Sequence, residues 1–124
     1  MQLLGLFWGR TLNEDNLISR ARELVRQQRP DGGWGQTPNL PSDAYATGQV
    51  LYALSTLKVP SVDDARRRGV EFLLRTQADD GSWHVVSRAL KIQPYFESGF
   101  PYGHDQWISH AGSAWAVIGL AAAK

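Results

Sequence analysis

The side chains best suited to chemistry are concentrated in one segment, QPYFESGFPYGHDQWISHAG, which runs from Gln93 to Gly112. Its candidate catalytic groups are Glu97, His104, Asp105 and His110. A carboxylate beside an imidazole orients the ring and favours its charged form, so either histidine with either acid predicts a general acid–base pair. His104, Asp105 and His110 also offer metal ligands, but two histidines six residues apart across a loop-to-helix junction match no familiar zinc pattern.

The same segment is unusually aromatic, and its rings are candidate substrate-binding residues: Tyr95, Phe96, Phe100, Tyr102 and Trp107. Aromatic rings at the mouth of a cavity form an apolar wall or lid, and they stabilise a cation by cation–π attraction. The alternative is plain structural packing, with Asp105 and His110 serving as caps of the helix that follows. His84, which lies upstream of this segment, is interpreted as a turn residue.

Two further acidic pairs are structural in this interpretation. Asp63 and Asp64 begin an amphipathic helix, where aspartate is an ordinary capping residue, and Asp79 and Asp80 belong to a turn. The chain has no cysteine, which excludes disulfides, thiolate nucleophiles and cysteine-type zinc sites. No metal and no cofactor are predicted.

Composition excludes several classes of partner. The 124 residues have the length of one domain, and a formal charge of +1 gives no argument for nucleic acid. The longest candidate for a targeting segment, Leu3 to Trp8, is far too short for a membrane span. That run resembles the end of a helix that began upstream, so we expect the chain to be part of a longer one.

The elements that must hold the candidate residues are predicted to be helices. The first helix follows a cap at Asn13 and ends at Pro30, and a long irregular segment separates the last two helices, with a possible short strand at Trp83 to Val86. The other predictions are Asp43–Lys58 capped by Ser42, Val62–Thr76 after Ser61, and Ser109–Ala123. The first and third helices have one apolar face, whereas the second and fourth are apolar nearly all round, which predicts an outer and an inner layer.

An internal repeat organises these helices. Trp34 and Trp83 lie 49 residues apart, and the same offset aligns Asp31 with Asp80 and Gly32 with Gly81. The inner helices align with an offset of 66, so the second unit contains 17 additional residues, all within the aromatic segment. We therefore predict a single domain over 1–124, with one repeat at about 13–58 and a second at about 61–123.

The second copy of the repeat resembles a known family motif. RGVEFLLRTQADDGSW, from Arg68 to Trp83, is similar to the QW repeat of squalene and oxidosqualene cyclases and of related prenyltransferases. The first copy is looser, because Ser19, Arg20 and Glu23 replace the expected basic, small and aromatic residues. The residues that match the structural QW positions are Gln28, Gly32, Trp34, Gln77, Gly81 and Trp83. Their amide, glycine and indole groups are suited to fastening one helical hairpin to the next.

The resemblance implies an all-α, two-layer α/α toroid that closes around an apolar cavity, of which two hairpins form an incomplete ring. It also implies an isoprenoid or other large apolar substrate, and the aromatic segment resembles one found in bacterial cyclase-repeat proteins of unassigned activity. The D-x-D-D acid of hopene-type cyclases is missing, and so is the cysteine of the prenyltransferase zinc site. The alternatives are a non-catalytic lipid- or peptide-binding module and a scaffold. The expected partners are an apolar small molecule and either the remainder of a longer chain or a second copy bound through the inner helices.

Overall fold

The computed structural model describes residues 14–57, 62–87 and 99–123. They form four α-helices: α1 (Glu14–Gln27), α2 (Ala44–Leu57), α3 (Asp63–Thr76) and α4 (Gln106–Ala122). A short 3₁₀ turn, Gly103–Asp105, leads into α4. The part of the chain that the structure describes contains no β-strand, which confirms the predicted all-α class.

The one-sided helices bury the face that their sequence pattern predicts. On α3 the buried residues are Ala65, Gly69, Phe72 and Leu73. The opposite face carries the exposed Arg67, which forms ion pairs with Asp64 and Glu71. Because these pairs lie in water, they add little to stability, and the helix is held by its apolar stripe.

The two charge-poor helices, α2 and α4, make the most extensive contact between elements, and α2 also contacts α1 and α3. Glycines allow the close approach. A Cβ on Gly48 would lie 2.4 Å from the Trp115 carbonyl oxygen, and one on Gly119 would lie 2.7 Å from the Gly48 carbonyl oxygen. The small residues on these helices therefore serve close packing at the crossing.

Two helix boundaries differ from the sequence prediction. The cap of α2 is Asp43, whose Oδ1 accepts a hydrogen bond from the Ala46 N–H at 2.8 Å. The predicted cap, Ser42, instead donates its hydroxyl to Asp31 Oδ1. Helix α4 begins at Gln106, three residues before its predicted start, because the 3₁₀ turn runs directly into it. Asn13, Lys58 and Ser61 lie outside the described residues.

The predicted short strand at Trp83 to Val86 is wrong. The segment is extended but pairs with no other strand in the described part of the chain. Side chains of α4 take the place of a strand partner. Ser113 Oγ bonds the N–H and the carbonyl of Trp83, and Ser109 Oγ bonds both backbone groups of Val85. The backbone groups of a buried extended segment are thereby satisfied without a sheet.

Candidate functional site

The candidate site is built on the second of two nearly identical turns. We call residues 28–34 the first DGxW turn and residues 77–83 the second. Gly32 and Gly81 both have positive φ, at 91° and 90°. An aspartate closes each turn: Asp31 Oδ1 accepts from the Gly33 N–H at 2.9 Å, and Asp80 Oδ1 accepts from the Ser82 N–H at 3.0 Å.

The tryptophan that ends each turn is fixed in the same way. The indole N–H of Trp34 donates to the Leu24 carbonyl, and that of Trp83 donates to the Leu73 carbonyl, both at 2.8 Å. Both rings are buried. The indole thus satisfies a carbonyl near the end of the preceding helix while it fills the core.

The glutamines of the two turns differ. Gln28 Nε2 donates to the Gly32 carbonyl in its own turn and to the Ala65 carbonyl in the first turn of α3, at 2.8 Å. Gln77 Nε2 has the equivalent bond within its turn, to Gly81 at 2.8 Å, and its side chain is exposed. Only the first glutamine therefore joins one helical pair to the next.

The extended segment after the second turn determines where His84 points. Trp83 and Val85 are buried against α4, so the alternation of an extended chain directs His84 and Val86 outward. His84 therefore stands on the surface beside the start of α4. The sequence interpretation treated it as a turn residue, and the structure instead makes it the centre of a side-chain cluster.

Tyr102 is the first member of that cluster. Its ring stacks on His84 with 4.5 Å between ring centroids and 3° between planes, and its hydroxyl lies 2.6 Å from Ser82 Oγ. Its backbone has φ of 84°, a conformation that is strained for a residue with a bulky side chain. The two side-chain contacts hold it there.

Asp105 is the second member. Its Oδ2 lies 2.7 Å from His84 Nε2, and its Oδ1 accepts from the Ser87 N–H at 2.9 Å. A carboxylate accepts only, so His84 Nε2 carries a proton in this pair and Nδ1 is the acceptor nitrogen of the neutral ring. This geometry can orient an imidazole for proton transfer at the surface. Asp105 stands at the N-cap position of α4 but makes no capping hydrogen bond with its side chain.

A hydrogen-bonded chain links Tyr102, which stacks on His84, to the turn. Ser82 donates its hydroxyl to Asp80 Oδ1 at 2.5 Å, so Tyr102 must be the donor in its bond to Ser82. The hydroxyl and backbone N–H of Ser82 lower the pKa of Asp80. Asp80 is thus an ionised acceptor near neutral pH and a poor source of protons.

The other predicted site residues lie around this cluster or outside the described residues. The ring of His110 is 5.3 Å from that of Phe100, while His104 and Trp107 are exposed. Glu97, Tyr95 and Phe96 lie outside the described residues. The contact between His84 and Asp105 spans 21 residues and could not be found from sequence, because no local pattern brings these two segments together.

The described residues contain neither a group of metal ligands nor a membrane-spanning helix. No three histidine or acidic side chains among them come together in a group able to hold a metal ion, so His104, Asp105 and His110 do not form the metal site considered above. Within the same ranges, no helix has the length and apolar character needed to cross a membrane.

A cleft in the described structure lies beside the first DGxW turn rather than the second. It has a volume of about 600 Å³ and is bounded by α1, the first DGxW turn and α2. Its lining includes Leu24, Trp34, Tyr45, Gln49 and Val50, together with the charged Arg20 and Glu23. None of the aromatic residues between Phe100 and Trp107 contributes to it.

Two curated proteins are similar in sequence to this chain. A copalyl diphosphate synthase from Streptomyces cyslabdanicus is 40% identical over 62 residues, which cover 50% of this chain and 12% of that protein. A probable squalene–hopene cyclase from Sinorhizobium fredii is 32% identical over 102 residues, which cover 81% of this chain and 14% of that protein. The chain therefore spans about one seventh or less of the length of these relatives.

The similarity to these two proteins is distant and indicates a terpene cyclase-like chain. No family model matches the sequence. No solved structure matches it either.

Proposed function

We propose that this chain is a squalene cyclase- and prenyltransferase-like repeat domain that contributes part of the wall of an apolar cavity and binds an isoprenoid or another large apolar molecule. The observation that carries the proposal is the repeated DGxW turn, with equal glycine φ angles and equal indole bonds, in a chain similar to two terpene cyclases. In this proposal the two helical pairs are consecutive segments of an α/α toroid.

The proposal assigns the catalytic acid to residues outside this chain. Among the described carboxylates, Asp63 and Asp64 are engaged by Arg66 and Arg67, and the pKa of Asp80 is lowered. An acid that protonates an alkene needs the opposite environment, one that raises its pKa and leaves its proton directed into the cavity. His84 and Asp105 are then left with orienting the bound molecule or accepting a proton from it.

The alternative is a binding module without catalysis. It is favoured by the separation between the cleft and the His84–Asp105 pair, since the cleft lining contains neither residue. A binding domain needs only the cleft, half of whose lining residues are polar or charged and can contact a polar group of a bound molecule while the others contact its apolar part.

The proposal is tested by saturation-transfer NMR on the chain with farnesol and geranylgeraniol as probes. We expect transfer from the protein to the isoprenyl methyl groups. Gln49→Trp fills the cleft, and Phe100→Ala removes a ring from the aromatic segment, so the variant that abolishes transfer locates the binding site. Transfer to a fatty acid but to neither alcohol would favour the binding-module alternative, and no transfer to any of the three probes would contradict both.

A further inference from the structure

The cleft beside the first DGxW turn has a counterpart in the second repeat. With the offset of 49, Arg20 on α1 corresponds to Gly69 on α3. With the offset of 66, Gln49 on α2 corresponds to Trp115 on α4. Arg20 and Gln49 both line the cleft, so the residues that replace them in the second repeat show what else this space can hold.

In the second repeat, helix α2 covers both counterparts. A Cβ on Gly69 would lie 2.9 Å from Leu51 Cδ2, so the glycine leaves room for that side chain. The Trp115 ring packs edge-on against Tyr52, with 6.1 Å between ring centroids. The space that is filled by a neighbouring helix in the second repeat is therefore an open cleft in the first.

The polar replacements make the cleft a poor seat for a further apolar helix. A guanidinium at the position of Gly69 would meet an apolar side chain such as Leu51 and would lose its hydration without gaining a partner. A small molecule avoids this penalty when its own polar group pairs with the guanidinium. The cleft therefore favours a ligand that has one polar and one apolar end.

The charge balance of the cleft indicates the sign of that polar end. Its lining contains one cation, Arg20, which makes no hydrogen bond or ion pair with the residues that the structure describes. The acid in the lining, Glu23, is bonded to Arg26 at 2.5 Å, and this bond is the main cause that lowers the pKa of Glu23, to which Arg20 contributes least. Because Arg26 balances Glu23, one positive charge remains for a bound anion.

The other groups of the lining fit a carboxylate attached to an apolar chain. The planar guanidinium of Arg20 presents parallel N–H groups that match the two oxygens of one carboxylate. The Tyr45 hydroxyl and the Gln49 amide also line the cleft and form no hydrogen bond with the described residues, so they are further donors. Leu24 and Val50 supply apolar wall.

We propose that the ligand of this cleft is an apolar chain that ends in a carboxylate, with the carboxylate bound to Arg20 and the chain lying along Leu24 and Val50. The inference rests on the proposed function, since it takes the isoprenoid to bind in the cleft, and it adds the charge of the head group. A carboxylate carries the single negative charge that balances Arg20.

The test compares farnesoic acid, farnesol and farnesylamine, which share one apolar chain and differ in the charge of the head group. Each is titrated into the full chain near neutral pH, below the concentration at which it forms micelles, and binding is followed by tryptophan fluorescence because Trp34 lines the cleft. We expect farnesoic acid to bind about tenfold more tightly than farnesol, and farnesylamine more weakly than either.

Two variants assign the effect to one side chain. Arg20→Gln should lower the affinity for farnesoic acid about tenfold and leave that for farnesol within about twofold. Arg22→Gln is the matched control, because Arg22 is an exposed residue of α1 that carries the same charge and lies outside the cleft lining. It should leave both affinities within about twofold, and circular dichroism checks that both variants remain helical.

The outcomes separate this inference from the proposed function. Equal affinities for farnesoic acid and farnesol would overturn the inference and leave the proposed function standing. An equal loss in Arg20→Gln and Arg22→Gln would overturn the assignment to Arg20, because the charge of the whole chain would then attract the acid. Tighter binding of farnesyl phosphate than of farnesoic acid would overturn the choice of a carboxylate. If no probe binds, the proposed function fails and this inference fails with it.

Discussion

The two DGxW turns have the same internal geometry and different surroundings. Around the first, arginines of α3 donate to backbone carbonyls: Arg68 to Arg29 at 3.2 Å and Arg75 to Asp31 at 2.8 Å. Around the second, the neighbour is the inserted segment, which brings Tyr102 onto Ser82 and Asp105 onto His84. The comparison teaches that the turn is a local structure, whereas its environment depends on which segment arrives beside it.

That difference has a functional consequence. At the first turn, where the following helical pair packs, side chains of α3 donate to backbone carbonyls, and these contacts stabilise the fold. Where the insertion packs against the second turn, the contacts bring together a histidine, a carboxylate and a tyrosine hydroxyl at the surface. Of the two turns, the second is therefore the one beside which side chains capable of proton transfer come together.

Alanine substitutions of the two turn glycines, Gly32 and Gly81, are expected to show the largest difference in stability between the two turns. A Cβ on Gly32 would lie 2.5 Å from the Arg68 carbonyl oxygen, whereas the nearest atom to a Cβ on Gly81 is Gln77 Nε2 at 3.9 Å. Gly81→Ala should cost about 1–2 kcal/mol from backbone strain alone, and Gly32→Ala about 4 kcal/mol because a backbone clash is added. Urea unfolding of the two variants measures the difference in the free energy of unfolding. Equal losses of stability would contradict the claim that α3 packs closely against the first turn.

The glutamine pair should show an intermediate effect. Gln28→Ala removes a bond to α3 that spans 37 residues and should cost about 1.5 kcal/mol, whereas Gln77→Ala removes a bond within an exposed turn and should cost about 0.5 kcal/mol or less. Gln28→Glu separates the two functions of the amide, because a carboxylate cannot donate to the Ala65 and Gly32 carbonyls but can still accept from Arg68 Nη1. If Gln77→Ala proves as costly as Gln28→Ala, the second turn also has a partner for its amide.

The smallest expected effect is a pH-dependent contribution of Asp80, in the second turn, to the stability of the fold. The pKa of Asp80 is lowered from its ordinary value of 3.8 by the two Ser82 bonds, so the folded state favours the ionised carboxylate. The stability that this provides is fully present above the unfolded-state pKa and is lost as the pH falls through the folded-state pKa. In unfolding measurements at a series of pH values, Asp80→Asn should be less stable than the natural chain at neutral pH, and the gap should close in acid. A gap that persists unchanged below pH 3 would assign the effect to packing.

Much of this architecture could be predicted from the residues alone. The apolar stripe of α3, the charge-free α2 and α4, and the positive φ at Gly32 and Gly81 follow from local periodicity and glycine placement. The site was predicted less well. Asp105 was expected to pair with His104 or His110, whereas in the structure the imidazole beside it is that of His84, because a long segment brings these two distant residues together.

Other differences have equally specific causes. Ser42 and Asp43 are both good helix caps, and their order along the chain does not decide between them. The Ser42 hydroxyl donates a hydrogen bond to Asp31 in the first DGxW turn, so Asp43 caps α2 instead. The segment after Trp83 has the alternation of a strand, and it is extended, but the hydroxyls of Ser109 and Ser113 satisfy its backbone in place of a second strand.

By itself the sequence determined the helical class, the repeated turn and the face that each one-sided helix buries, because periodicity, glycine φ and hydrogen bonding over a few residues are local properties. The tertiary structure alone decided which glutamine spans two helical pairs, which histidine meets Asp105 and which apolar side chains of α4 are exposed. These features depend on contacts between residues far apart in the chain, whose free energy is set by the packing of whole helices.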